Sequence, residues 1–329
     1  MKWWILSVGL VFTPAVWAGS VFVDFEKQLI FPQELAGMSC AAFAKYENDN
    51  LGYSVMYTNG SFRCGVSLLN MGRSEIPDGY RGEGVDMMFE AVETDLQRRE
   101  EEGRISNVRN RGGTVVPKKS PLQFANNVFQ YLENRDSGAG QEAVPCIQSV
   151  YITGSHNHFV KMTFSFDVAE NQQARMIADR LLKELVLLLI AEPSEKELLL
   201  AACDAAVYDP AGYSGQTAAQ RVYAKIQNMD GLSFYDAFFV WPQERYRKPK
   251  NADFLTTAYF AGMLRAVLPE DLESGGEVEA FEAMLEAYEN MRARDQITEI
   301  PQLEEWIKAG DRRALYQKLL VEFGYAVAE

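Results

Sequence analysis

The sequence contains very little histidine and none of the short motifs that mark common enzyme families. Only two of its 329 residues are histidines, His156 and His158. A P-loop, a His-Glu-x-x-His helix and a Ser-x-x-Lys motif are all missing. Of the serine-hydrolase patterns, Gly37-Met-Ser-Cys-Ala41 lacks the final glycine and Gly212-Tyr-Ser-Gly215 has the wrong spacing. We therefore assign no catalytic, cofactor-binding or metal-binding residue, and the sequence favours a protein that is not an enzyme.

Cysteine is also sparse, and no two cysteines form a C-x-x-C pair. This excludes a thioredoxin-like redox motif and a zinc knuckle. Two alternatives stay open for an exported chain: free buried thiols, or one or two disulfides with three possible complete pairings. The four cysteines are Cys40, Cys64, Cys146 and Cys203.

Basic residues are in deficit, with 32 Lys and Arg against 46 Asp and Glu, for a net charge of -14. A field of this sign repels phosphate backbones and anionic membrane surfaces, so we expect neither nucleic acid nor lipid headgroups as partners. The segment Trp241–Lys250 is the one stretch that is both basic and aromatic. It fits either an interhelical loop that balances local acidity or a contact for an acidic partner.

Long apolar runs are missing after the first dozen residues. Lys2 precedes an uncharged and mostly apolar stretch, Trp3–Phe12, which is too short for the roughly 20 residues that span a bilayer. Pro14 follows, and Val16 and Ala18 stand at the -3 and -1 positions of a cleavage site. We expect residues 1–18 to be a cleaved signal peptide and the remaining chain to make no stable membrane insertion.

The chain as a whole is 47% hydrophobic, which is enough to form real cores. Strand patterns with inserted helices fill the first half, and only helix patterns follow Pro193. The sequence therefore predicts the α+β class, with an N-terminal antiparallel sheet and packed helices followed by an irregular all-α helical region. We place an α+β domain at 19–192 and a helical domain at 193–329.

Two hairpins are predicted in the sheet. A type I′ turn at Asn59-Gly60 pairs Tyr57 with Phe62 and places Cys64 on the core face.

The second hairpin has a three-residue loop, Ser155–Asn157, which pairs Ile152 with Val160. Histidines two apart on a strand share a face, as some metal sites require, but this loop breaks the alternation. His156 is then expected at the tip of a solvent-facing loop and His158 at the strand start, and both are expected to be replaceable by alanine without loss of folding or of bound metal.

Capping boxes mark the start of two helices. Asp167 with Glu170 is predicted to open a helix that ends before Pro193, and Ser194 with Glu197 to open the next. A helix is predicted at 84–101 and a polar loop or hairpin tip at 110–121. The remaining helices are predicted at 195–207, 216–228, 233–241, 253–268, 276–294, 302–309 and 312–323.

Several strand and turn segments resemble a loose group of exported bacterial proteins that has no assigned activity. They are Phe31–Met38, Leu51–Tyr57, Val150–Gly154 and Phe159–Phe164. The resemblance covers roughly residues 30–190 and offers no catalytic residue to transfer. It implies a bacterial source and a periplasmic or secreted location.

The sequence leaves two functions open. The first is a non-enzymatic protein of the cell envelope that binds a partner protein through its helical half. The second is a carboxylate-dependent hydrolase that acts on cell-envelope polymers. A cleft with two carboxyl groups of raised pKa would favour the hydrolase, and a contiguous exposed apolar patch would favour the interaction protein.

Overall fold

The structure is a computed structural model that describes residues 20–46, 52–136, 141–229, 250–270, 272 and 275–325. It combines an antiparallel sheet with helices, which confirms the α+β class. The strands are β1 Ser20–Asp24, β2 Leu29–Pro32, β3 Glu34–Leu35, β4 Met38–Lys45, β5 Tyr53–Asn59, β6 Phe62–Leu69, β7 Ile105–Val116, β8 Phe124–Asp136, β9 Gln141–Ser155 and β10 His158–Asp167. The helices are α1 Glu83–Glu101, α2 Asn171–Ile190, α3 Glu195–Tyr208, α4 Tyr213–Ile226, α5 Asp253–Val267, α6 Glu277–Ala293, α7 Pro301–Ile307 and α8 Arg312–Glu322.

Eight strands form one antiparallel sheet in the order β3-β4-β5-β6-β10-β9-β8-β7, and β1 with β2 forms a separate hairpin. Helices cover both faces of the central strands. Because strand residues alternate between faces, Phe159 of β10 packs with α1 whereas Val160 packs with α2. The α1 residues buried on their face are Val85, Met88, Val92 and Leu96. The α2 residues buried on the other face include Leu181, Leu185, Leu188 and Leu189.

The first hairpin has the predicted faces but a different turn. Its loop is Gly60-Ser61, so Tyr57 pairs with Cys64, and Phe62 pairs with Asn59. The shift from the predicted register is two residues, which keeps every side chain on its expected face. The placement of Cys64 in the core is therefore confirmed, and its side chain is fully buried.

The predicted three-residue loop of the second hairpin is wrong. Ser155 pairs with His158, which leaves a two-residue turn, and Val160 lies opposite Thr153 instead of Ile152. The prediction matched apolar residues across the strands as if one face were buried. Both faces are buried here, so apolar side chains occur on each side and cannot fix the register.

The helix boundaries largely follow the predicted signals. The capping box at Ser194 and Glu197 is confirmed in both of its hydrogen bonds. The one predicted at Asp167 is wrong, because its carboxylate binds Arg135 and a short 3₁₀ turn precedes α2. Residues 110–116 lie in β7, so only the remainder of the predicted 110–121 loop connects β7 to β8. The predicted helix at 233–241 lies outside the described residues.

A separate core joins α3 to α8, around Tyr259, Phe281 and Tyr288. The β1–β2 hairpin packs on this helical region, and the Ser214 hydroxyl donates a hydrogen bond to the carbonyl of Val21. Within the described residues, no helix combines the length and the apolar character needed to cross a membrane.

Candidate functional site: two clefts at the ends of the central strands

Strands β9 and β10 run between two surface clefts. The first lies at their turn and has a volume of about 650 Å³, and we call it the turn cleft. The second lies at the opposite end, near the end of α1, has a volume of about 520 Å³ and is called the arginine cleft. The turn cleft is lined by Asp78–Tyr80, Ser120–Gln123, Ser155–Asn157 and Leu189–Glu192. The arginine cleft is lined by Arg63, Arg99, Glu102–Arg104, Glu133–Arg135 and Gln141.

His156 connects the turn to helix α2. Its ring Nε2 lies 2.7 Å from the carbonyl oxygen of Leu189, in the last turn of α2. A carbonyl oxygen only accepts hydrogen bonds, so Nε2 carries the proton and Nδ1 is left as an acceptor in the neutral ring. The ring thereby supplies a donor to one of the helix-end carbonyls that have no partner within the helix.

Asn157 connects the same turn to the loop that follows β6. Its side-chain oxygen accepts from the backbone N–H of Ile76 at 2.7 Å, and its side-chain nitrogen donates to the carbonyl of Ser74 at 3.1 Å. His156 and Asn157 both have positive φ, 53° and 57°, as a two-residue type I′ turn requires. The turn is therefore fixed to neighbouring elements on both sides.

A pair of glycines brings the 76–80 loop against β9. Gly79 and Gly154 exchange two backbone hydrogen bonds, of 2.9 and 2.7 Å. A Cβ atom on Gly154 would lie 2.0 Å from the carbonyl oxygen of Pro77, so only glycine permits this approach. The wall of the turn cleft is thus built from hydrogen-bonded backbone.

The two histidines are partly buried, so the expectation that His156 lies in a solvent-facing loop is wrong. His158 begins β10, as predicted, and its Nδ1 donates to the carbonyl of His156 at 2.9 Å. A neighbouring cleft of about 480 Å³ brings both rings near Glu26 and Glu192. In the part of the chain that the structure describes, no three His, Cys, Asp or Glu side chains are arranged to hold a metal ion.

The arginine cleft is built on an ion-pair network across four strands. Arg135 makes two hydrogen bonds to Asp167, of 3.0 and 2.6 Å, and a third to Glu133, of 2.8 Å. Arg63 reaches the same Glu133 carboxylate at 2.9 Å. Glu133 therefore lies between two guanidinium groups, and Asp167 is held by a guanidinium fork.

These ion pairs shift the pKa values of the carboxyl groups. Hydrogen bonds from Arg135 lower the pKa of Asp167 below its usual value. Burial alone would raise the pKa of Glu133, but the hydrogen bonds and charges of Arg63 and Arg135 outweigh it, and the pKa is lowered. Both carboxyl groups are thus ionised at neutral pH, which does not suit a general acid.

Cys146 lies beneath this network, with its sulfur 3.4 Å from Arg135 and 3.6 Å from Asp167. Burial raises the pKa of its thiol to about 11, and the charge of Glu133 adds to the rise. Such a thiol is not a reactive nucleophile at neutral pH. All four cysteines fall in the described residues, and all are free thiols.

Two further arginines complete the rim of the arginine cleft. The guanidinium of Arg99, on α1, lies 5.5 Å from the ring centre of Tyr131. Arg104, just before β7, pairs with Glu102 at 2.8 Å. Arg99 and Arg104 are close in sequence, but only the fold places them beside Arg63 and Arg135.

The serines of the two incomplete hydrolase patterns do not meet a histidine. Ser39 lies in β4, and the Ser214 hydroxyl is bound to the Val21 carbonyl. Of the basic Trp241–Lys250 segment, the described residues include only Lys250. Asp204 is the carboxyl group, among those described, whose pKa is raised, chiefly by burial. It pairs with Arg265 between helices and lines neither cleft.

Comparisons with known proteins give little information about this chain. No family model matches the chain, and no curated protein matches it. Among solved structures, the chain is similar to the solution structure of cyanobacterial PsbP (CyanoP) from Synechocystis sp. PCC 6803. That similarity has 12% identity and a TM-score of 0.30, and it covers 51% of this chain and 93% of the other. Similarity at this level does not bear on function.

Proposed function

We propose that the chain is an exported, non-enzymatic protein of the bacterial cell envelope, periplasmic or secreted, that holds a partner protein in the turn cleft. The residues that line this cleft belong to the sheet half, 19–192. The helical half, 193–329, begins directly after them. The observation that carries the proposal is the cleft itself, a preformed surface with apolar and polar groups side by side.

The lining of the turn cleft is better suited to binding a side chain of a partner protein than to catalysing a reaction. Tyr80, Pro121, Leu122 and Ile190 supply apolar surface, and Ser120, Gln123 and the turn residues supply hydrogen-bonding groups. A volume of about 650 Å³ falls in the range of ligand-binding pockets. Because the turn, the loops and the end of α2 are tied together, little conformational entropy is lost when a partner binds.

The helical half, 193–329, begins directly after the last lining residue of this cleft, Glu192. The cleft includes Leu189–Glu192, which are the last two residues of α2 and the first two of the connection to α3. Elsewhere in the described helical region, the exposed large apolar residues are Tyr213, Leu272 and Val321. Tyr213 lies in α4, Leu272 between α5 and α6, and Val321 in α8, and scattered apolar residues of this kind are ordinary on protein surfaces.

No specific observation favours the hydrolase alternative. It requires a cleft in which one carboxyl group has a raised pKa and can donate a proton. In the arginine cleft, the pKa of Glu133 is lowered and that of the adjacent Asp167 is lowered as well. Asp204, whose pKa is raised, lies outside both clefts.

Replacement of Ile190 by glutamate tests the proposal. Ile190 is 43% exposed and lines the turn cleft, so a charge there should prevent a partner from burying its apolar wall. The control is Leu187→Glu, one turn earlier on the same helix, 44% exposed and outside the cleft. Both variants and the wild type are used as bait in envelope extract, and stoichiometric partners are identified by mass spectrometry.

We expect a stoichiometric partner with the wild type and with Leu187→Glu, and its loss with Ile190→Glu. Equal capture by all three baits would place the contact elsewhere. Release of soluble fragments from purified cell-wall polymer by the wild type would show an enzyme and overturn the proposal.

A further inference from the structure

We propose that the arginine cleft binds a small ligand that carries a phosphate group. This inference concerns a second site and does not depend on the proposed role of the turn cleft. It begins from charge. The cleft is lined by four arginines and two glutamates, and Asp167 binds Arg135 beside it, which leaves one excess positive charge on a protein whose net charge is -14.

The ion pairs within the cleft leave donors for a ligand. Arg63 binds Glu133 through Nη2, and Arg104 binds Glu102 through Nη2. Each guanidinium carries five N–H donors, so one occupied nitrogen leaves several others. Arg99 presents its guanidinium over the face of Tyr131, a placement that holds the group without a carboxylate.

The arrangement of these donors favours phosphate over carboxylate. Arg63 comes from β6, Arg99 from α1 and Arg104 from the segment before β7, so three separate elements contribute. A phosphate monoester has three terminal oxygens and can accept from three groups at once, whereas one carboxylate has two oxygens in a plane. Its charge of about -2 is also attracted by the excess of positive charge in the cleft.

The size of the ligand is limited by the volume of the cleft and by the negative charge of the protein surface around it. A cleft of about 520 Å³ accommodates a small molecule. Nucleic acids and anionic membrane surfaces extend well beyond it and would meet the acidic surface of the chain. A small phosphorylated molecule avoids that repulsion because it lies close to the arginines.

The rim that carries Arg104 is already fixed in position. The carbonyl of Gly103 accepts from the Asn134 side chain at 2.7 Å, and the carbonyl of Arg104 accepts from the Asn134 backbone N–H at 3.0 Å. The segment before β7 is therefore attached to the floor of the cleft. A ligand does not have to order it on binding, which preserves affinity.

The test uses isothermal titration calorimetry on the chain without residues 1–18, at low ionic strength. The probes are inorganic phosphate, glycerol phosphate and succinate. Arg99→Gln is expected to weaken binding of both phosphate probes by about ten-fold or more, since a hydrogen bond to a charged group contributes that much. Arg98→Gln is the matched control, because Arg98 is the adjacent residue, pairs with Asp95 and Glu102, and does not line the cleft.

The expected result is that both phosphate probes bind the wild type and Arg98→Gln alike, and bind Arg99→Gln weakly. An equal loss in the two variants would mean a general charge effect and would overturn the site. Succinate binding as tightly as glycerol phosphate would overturn the assignment to phosphate. Absence of binding by either phosphate probe to the wild type would refute the proposal altogether.

Discussion

Arg135 joins two carboxylates that come from different parts of the chain. It binds Glu133 on its own strand and Asp167 at the end of β10, and the sulfur of Cys146 lies beside it. Cys146 of β9 lies opposite Tyr131 of β8 and opposite Asp167 of β10. This strand register places Arg135, Glu133 and Asp167 close together. A charged group so placed keeps the end of the sheet in one arrangement, because each carboxylate has a fixed partner.

The Arg135–Asp167 pair makes stability depend on pH. The pKa of Asp167 is lower in the folded protein than in the unfolded chain, where it is about 3.9. The stabilisation is therefore fully present above about pH 4 and is lost as the pH falls through the lower folded value. We expect Asp167→Asn to lower the free energy of unfolding at pH 7 by about 1 kcal/mol, since partial exposure of Arg135 screens the pair.

Urea unfolding of Asp167→Asn and wild type at pH 7, 5 and 3 checks this expectation. The difference between the two proteins should shrink at pH 3. Asp95→Asn is the control, because it breaks an exposed ion pair with Arg98 and should leave stability unchanged. A difference that stays constant across the three pH values would contradict the assigned role of the charge.

At the level of elements, the sequence predicts helices better than strand pairing. The helix at 84–101 and the cap at Ser194 depend on neighbouring residues, so local patterns reveal them. The register of β9 and β10 depends on helices packed against both faces, which no local pattern shows. The cap predicted at Asp167 failed for a related reason, since Arg135, a residue distant in sequence, binds that carboxylate.

The two clefts were not predicted, and their residues explain why. Arg63 and Arg135 are far in sequence from Arg99 and Arg104, and the fold of the sheet brings them to the same cleft. In the first cleft, His156 and Asn157 could be recognised as turn residues but not as contacts to α2 and to the 74–76 loop. The adjacent histidine and asparagine residues indicate a short hairpin turn, and this is the one feature of the sequence that points to the cleft.

The contact between His156 and helix α2 can be tested directly. We expect His156→Ala to lower the free energy of unfolding by about 1 kcal/mol, because the Leu189 carbonyl loses its side-chain donor. His158→Ala is the control, since its hydrogen bond lies within the turn and joins no other element. Urea denaturation measures both, and equal stabilities of the two variants would show that the contact does not stabilise α2.

At the scale of the whole molecule, export predicts a specific mature chain. Processing after Ala18 would leave Gly19 as the first residue and would remove one positive charge, that of Lys2. Intact mass spectrometry of the protein recovered from the periplasm or medium should therefore match residues 19–329. Recovery of a chain that retains Met1 would show that the segment is not cleaved.

The arginine cleft exists because a helix and the strands beneath it differ in length. Helix α1 contacts Phe159 through Gly84 at one end and Tyr131 through Arg99 at the other. The helix extends about 22 Å from Gly84 to Arg99, and β9 extends roughly 27 Å from Gly154 to Cys146, the residues paired with those two rings. Strand β9 begins at Gln141, about 17 Å further on. The uncovered stretch of sheet is the floor of the cleft, so an α1 longer by three turns would close it.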